Sequence, residues 1–286
     1  MNSLLVHTAW ELRKLLAELR RPGVALGLVP TMGALHAGHG RLIEQARGDC
    51  GLVVVSIFVN PIQFNRQDDY ERYPRTLDAD LSFCKARGVD IVFAPSIEEM
   101  YPGRQRTFVE VERVSEKLCG KFRPGHFRGV ATVVTKLLNM VQPDLAYFGE
   151  KDAQQLAVIR RMVRDLNMPV EIVAAPTVRE PDGLAMSSRN QHLNAAERQV
   201  APALYQGLRA ARDLIRRGAT DPEEVRKAAL AVIAEQPLLR VEYLEIVDPE
   251  EMQPVKTITG PVRVAVAAWL GSTRLIDNVL CEADTA

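Results

Sequence analysis

The sequence has no excess of charge of either sign: Lys+Arg number 36, Asp+Glu number 36, and the formal net charge is zero. A uniformly basic surface for nucleic acid or an anionic membrane is therefore excluded, which leaves only local patches. Cysteine is scarce, and the four residues Cys50, Cys84, Cys119 and Cys281 form no CxxC pair. That spacing argues against a zinc ribbon, a thioredoxin-type motif and a disulfide scaffold, and predicts reduced, packed thiols in a cytoplasmic protein. No apolar stretch approaches the roughly 20 residues that a bilayer requires. The first residues carry Trp10, Glu11 and Arg13 instead of a basic start and an apolar run, so no signal peptide is expected. Both standard glycine loops for phosphate are missing. Gly120-Lys121 is followed by Phe122, and Ile43 stands where a third glycine would complete the pattern begun by Gly38 and Gly40.

The 286 residues, 47% hydrophobic and 25% charged, have the balance of a globular protein. Thr8 with Glu11 predicts a capping box, followed by leucines at helical spacing until Pro22-Gly23. Gly51–Val59 is nearly all β-branched or aromatic, as in a strand buried on both faces of a parallel sheet. Helical and extended patterns then alternate: helix 77–87, strand 89–93, helix 130–141, strand 145–148, helix 153–166, strand 170–174. Such alternation predicts an α/β fold with a Rossmann-like doubly wound parallel sheet. Residues 107–111 suggest an additional strand. Beyond Ala175 the pattern changes to a long helix from Asn194 through Arg217, a helix opened by Asp221-Pro222, and strands at 241–247, 262–269 and 274–279. Two domains are expected: residues 1–175, the Rossmann-like domain, and residues 176–286, a smaller C-terminal α+β domain.

The densest chemical signal is Pro30-Thr31-Met32-Gly33-Ala34-Leu35-His36-Ala37-Gly38-His39, at a strand-to-helix handover. Helix N-termini present unpaired N–H groups and a positive dipole end, and ligands of open α/β sheets bind at the strands' carboxyl ends. Two of the chain's five histidines therefore stand where an anion would bind. Asn60 and Gln63 end the buried strand with two amides suited to a polar substrate. Lys151 follows another strand and offers a point charge to phosphate, with Gln155 one turn later. Ser187, Ser188 and Arg189 offer two hydroxyls and a guanidinium from a turn-rich stretch. Arg123 lies in a basic, glycine-rich loop.

Together the strings PTMGALHAGH, SIFVNPIQF, RYPRTL, FRPGHFRGVATVV, FGEKDAQQL, DGLAMSSRN and GSTRLIDN resemble the nucleotidyltransferase superfamily that contains the class I aminoacyl-tRNA synthetases. Within that superfamily they resemble the pantothenate synthetase (pantoate–β-alanine ligase) family. They occur in that family's order and cover most of the chain. Gly40 departs from the pattern, because a bulkier residue usually follows the second histidine; a slightly weaker helix start is expected.

The resemblance implies a ligase of the coenzyme A pathway. It joins pantoate to β-alanine with ATP and Mg²⁺ by way of an acyl-adenylate, releasing AMP and pyrophosphate. It implies that His36 and His39 contact ATP phosphates, and that Lys151, Ser187, Ser188 and Arg189 stabilise the departing pyrophosphate. Gly149 and Asp152 would hold the ribose, with Met32, Val178 and Met186 also at the nucleotide. Met32, Asn60, Gln63 and Gln155 would form the pantoate and β-alanine site, and Tyr73 and Arg123 are weaker candidates at its edge. No metal ligand is assigned to a protein side chain. Residues 1–175 would bind ATP and pantoate, residues 176–286 would act as a lid, and Asn65–Tyr73 would close over the adenylate. The family implies a cytoplasmic homodimer that binds neither nucleic acid nor membrane. The alternatives are another adenylyltransferase of this type acting on a small carboxylate or phosphate, a tRNA synthetase lacking a visible basic appended domain, and a non-catalytic nucleotide sensor.

Overall fold

The computed structural model describes residues 3–282. They form two compact units. The first comprises the chain through Val111 with Arg123–Glu150 and Val158–Pro176; the second comprises Glu112–Phe122, Lys151–Ala157 and the chain from Thr177 onward.

The first unit is built on six parallel strands: β1 (Leu4–Val6), β2 (Leu26–Thr31), β3 (Leu52–Ile57), β4 (Ile91–Phe93), β5 (Leu145–Gly149) and β6 (Glu171–Ala175). Their spatial order is β1-β4-β3-β2-β5-β6, with every pairing parallel. In β3, Leu52 through Ser56 are all buried, as its unbroken apolar run predicts. Helices α1 (Ala9–Leu19), α2 (Ala37–Asp49), α3 (Gln67–Arg72), α4 (Leu77–Ala86) and α5 (Ile97–Met100) fall within or between the first crossovers. The short α6 (Cys119–Phe122) precedes α7 (His126–Val141) and α8 (Ala153–Asp165). Thr8 caps α1 in the expected capping box with Glu11. Leu42, Ile43 and Ala46 of α2 pack with Val29, Val53, Val55 and Val92 in one core. Each fully buried Val or Ile there stabilises the unit by about 1.5–3 kcal/mol. Strand order reverses at β2, with β3, β4 and β1 stepping one way and β5 and β6 the other. The carboxyl ends of β2 and β5 therefore flank the switch point, where open α/β sheets bind ligands.

The second unit contains an antiparallel sheet of β7 (Leu239–Val247), β8 (Val262–Leu270) and β9 (Thr273–Cys281). It packs with α10 (Ala203–Arg216) and α11 (Pro222–Ala234) around a core that includes Leu204, Leu208, Ile215, Ile233, Val264 and Val266.

Three elements differ from expectation. Residues 107–111 form no strand; the Val109 N–H instead donates to Thr132 Oγ1 of α7 at 3.0 Å, so a side chain replaces a ladder partner. The helix expected from Asn194 through Arg217 is two helices, α9 (Ala195–Val200) and α10. Asn194 and Glu197 do form a capping box, but Pro202 has no N–H to continue the ladder, and the helix restarts behind it. Helix α7 begins four residues before Val130, at His126, because Gly125 turns the chain with φ +79°. All four cysteines are free and buried.

Candidate active site

The first unit builds its candidate site at the end of β2. Thr31 Oγ1 donates to the Ser56 carbonyl at 2.8 Å and accepts from Gly33 N at 3.2 Å. Gly33 (φ +80°) and Ala34 (φ +50°) then reverse the chain through the left-handed region. The buried Asp80 carboxylate of α4 holds this turn, accepting from Ala34 N at 3.0 Å, Leu35 N at 2.8 Å and Thr76 Oγ1 at 3.2 Å.

The turn delivers His36 to the N-cap of α2. Its Nδ1 accepts from Gly38 N at 3.1 Å, while its own N–H donates to His39 Nδ1 at 3.2 Å. The two rings stand 4.2 Å apart, centroid to centroid. In both neutral imidazoles Nδ1 is thus an acceptor and Nε2 carries the hydrogen. The pair presents two Nε2–H donors beside the positive end of a helix, an arrangement suited to a phosphate. The departure at Gly40 has a local explanation: a Cβ there would lie 2.8 Å from Arg87 Nε. Arg87 stacks on Phe83 at 3.6 Å, so the methylene space is filled by a guanidinium.

Behind the histidines, β3 leads into a 3₁₀ turn, Pro61–Gln63. Asn60 is buried and engaged on both ends of its amide. Nδ2 donates to Gln63 Oε1 at 2.9 Å and to Gly129 O at 3.2 Å, and Oδ1 accepts from Tyr101 Oη at 2.7 Å. Burial pushes the Tyr101 phenol upward, so it stays a donor. Asn60 therefore acts by orienting Gln63, whose Nε2 lies 3.1 Å from Met32 Sδ. His126 was not singled out from the sequence, yet it completes this wall. Its Nδ1 meets the Gln63 carbonyl at 2.8 Å and must donate, leaving Nε2 to accept from Arg123 Nη1 at 3.1 Å. Gly129 permits the approach of α7, since a Cβ there would stand 2.5 Å from Ile62 O and 2.7 Å from Gln63 Cα. Tyr73 is buried against Phe64, 5.8 Å between rings, and α3 occupies most of the Asn65–Tyr73 segment. Gly149 closes β5, and no atom lies within 4 Å of where its Cβ would be.

The second unit holds the remaining candidates. Lys151 sits in the turn Glu150–Asp152 with Nζ 3.8 Å from Asp152 Oδ2. Three residues on, Gln154 is a structural amide: its Oε1 accepts from Cys119 N at 3.0 Å and its Nε2 donates to Val114 O at 2.9 Å and Lys117 O at 2.7 Å. Gln155 beside it is half-buried. Val178 and Met186 are brought together, with Met186 N donating to Val178 O at 2.9 Å. Ser187 caps the 3₁₀ turn Ser188–His192, its Oγ accepting from Arg189 N at 3.2 Å, and Ser188 and Arg189 are half-buried. A small cavity of about 10 Å³ has Lys151, Ser187, Asn190 and Asp277 among its walls. Among the described residues no group of three or more His, Cys, Asp or Glu side chains is placed to hold a metal ion. No helix among them is long and apolar enough to cross a membrane.

The parallel sheet, its switch point and the paired histidines define an enzyme of the nucleotide-binding α/β class. Residues 4–280 match the family model for pantoate-beta-alanine ligase. Pantothenate synthetase of Thermotoga petrophila is 51% identical over 276 residues, covering 96% of this chain and 99% of its own. That of Heliobacterium modesticaldum is 52% identical and covers 99% of both. The crystal structure of pantothenate synthetase from Thermus thermophilus superposes with a TM-score of 0.91 at 48% identity, over 96% of this chain and 98% of that one. A Francisella tularensis pantoate-beta-alanine ligase, solved with β-γ ATP and β-alanine, gives 0.82 at 34% identity over 97% of each. The chain belongs to the pantoate–β-alanine ligase family.

Proposed function

We propose that this chain condenses pantoate with β-alanine in two steps, and that the residues assembled above divide the work between them. In the first step a pantoate carboxylate oxygen attacks the α-phosphorus of ATP, and pyrophosphate leaves. Carboxylates are ionised at neutral pH, so no general base is needed there. Alignment and charge stabilisation supply the rate. In the second step the β-alanine amine attacks the acyl carbon, AMP departs with the carboxylate-derived oxygen, and the amine sheds a proton.

The Nε2–H donors of His36 and His39 meet the phosphates, and the fixed Nδ1 contacts within the turn are the observation that carries this reading. Lys151, Arg189, Ser187 and Ser188 neutralise the leaving pyrophosphate. Gln63, held by Asn60, binds pantoate with Met32 and Gln155. Gly149 and Asp152 receive the ribose, and Val178 and Met186 flank the nucleotide. Arg123, braced by His126, contributes charge at the edge of this site, and Tyr73 supports it from the core. In this reading residues 176–286 act as a lid. Mg²⁺ would travel with ATP, held by phosphate oxygens and water, and would help neutralise the charge of the departing pyrophosphate. The family resemblance supports a cytoplasmic homodimer, and four buried thiols suit a reducing compartment.

Labelled oxygen tests the route. With ¹⁸O in the pantoate carboxylate, one label per turnover should appear in AMP. Label that stays entirely in pantothenate or water would remove the acyl-adenylate.

A further inference from the structure

Strand β9 buries Asp277 and Asn278 in mid-strand, opposite Val266 and Ala265 of β8, and their side chains meet Arg179 and the buried Arg263 respectively. Arg179 grips Asp277 with both nitrogens, at 2.6 and 2.9 Å, and stacks on Tyr205 at 3.7 Å. Asp277 Oδ1 also accepts from Asn278 N at 2.8 Å. Arg263 Nη1 donates to Asn278 Oδ1. An arginine can only donate, so the oxygen of the Asn278 amide must face it, and Nδ2 must point the other way. There it donates 3.0 Å to the main-chain carbonyl of Lys151. Stability alone does not account for such a cluster, because buried ion pairs contribute little net stability against well-packed apolar residues. One bond of the cluster, from Asn278 Nδ2, ends on Lys151, while Arg179 Nη1 also donates to the Gly183 carbonyl at 3.1 Å.

We propose that Asn278 is a positioning residue for Lys151, its amide fixing the lysine's carbonyl while Arg263 and the Arg179–Asp277 pair hold that amide in orientation. Fixing the carbonyl fixes the peptide plane, and with it the direction in which the Lys151 side chain leaves the backbone. A long flexible lysine otherwise has much freedom to lose on meeting phosphate. The inference rests on the proposed role of Lys151 in pyrophosphate departure, and it gives the GSTRLIDN string a purpose.

Asn278→Asp tests it, because the shape and the oxygen for Arg263 remain while the donor to Lys151 becomes a second acceptor. Pantoate-dependent ATP–pyrophosphate exchange should fall about tenfold in kcat, in line with a small misplacement of a charge-stabilising group, with the pantoate KM within about twofold of wild type. In a Lys151→Ala background the same change should alter the rate less than about twofold, because there is no ammonium left to misplace. Asn278→Ala, which removes both bonds, gives a second reading of the same cycle should the aspartate variant fail to fold. Wild-type kcat in a folded Asn278 variant, or a further tenfold loss on top of Lys151→Ala, would overturn the positioning role while leaving Lys151 in place. Wild-type exchange by Lys151→Ala itself would instead overturn the Lys151 role, and this inference with it.

Discussion

The two sheets handle polar residues in opposite ways. In the parallel sheet the interiors of β3 and β4 are apolar apart from Ser56, and the chemistry sits past the strand ends, at His36, His39, Asn60 and Gln63. In the antiparallel sheet the polar groups lie within the strands, as Arg263, Asp277 and Asn278, and are spent on one another. Strand-end groups are held by turns and stay available to a ligand. The mid-strand groups bond to one another and to neighbouring arginines, which fits a scaffold role.

Substitutions should separate the two kinds of site. The largest loss is expected where a donor aims at developing charge. His39→Ala and Lys151→Ala should each lower the rate of adenylate formation about 10²–10³-fold while thermal unfolding stays near wild type. A strand-end scaffold residue should affect both stability and binding. Gly129→Ala drives a methyl into the Ile62 carbonyl, so about 1–3 kcal/mol of stability should be lost by urea titration, with a raised pantoate KM. Retention of wild-type stability and KM would show that α7 can move away without harm.

Of similar size, Asp80→Ala should remove the acceptor from Ala34 N and Leu35 N and destabilise the protein by about 1–3 kcal/mol, with ATP KM rising more than pantoate KM. An equal rise in both would mean that the turn serves the whole fold and not the phosphate end.

The smallest effect at physiological pH concerns Cys84. Burial is the main cause that pushes its thiol from 9.0 to about 12. Between those values the folded chain binds a proton that the unfolded chain has lost, so stability should fall as pH rises through that window and be unaffected below it. The slope is at most about 1.4 kcal/mol per pH unit. Urea midpoints at pH 8 and 10 for wild type and Cys84→Ser should diverge accordingly, and parallel midpoints would remove the assignment.

Periodicity made most of the architecture legible, because burial on one or two faces imprints a pattern within a single segment. The paired histidines were legible for a similar reason: cap, glycine and second histidine lie within four residues. The break at Pro202 was also written in the sequence, but the Asn194 capping signal hid it. What stayed hidden depends on long-range partners. Asp80 lies 45 residues from Leu35 and nothing local marks it as part of the site, while His126 lies 63 from Gln63 in a basic, glycine-rich stretch whose partner the sequence does not reveal. Asn60 shows the converse: it was legible as a polar residue at a strand end, but only its three bonds reveal that it orients Gln63. Residues 107–111 carry strand-like side chains, but among the described residues no strand pairs with them and the Val109 N–H goes to Thr132 instead.

The central claim is that carboxylate activation precedes and is separable from amide formation. ATP–pyrophosphate exchange measured with pantoate and Mg²⁺ present and β-alanine absent tests it most directly. The account predicts exchange that depends on pantoate, with AMP and pantothenate accumulating only once β-alanine is added. A folded protein that shows no exchange without β-alanine, yet forms pantothenate when all three substrates are present, would contradict it.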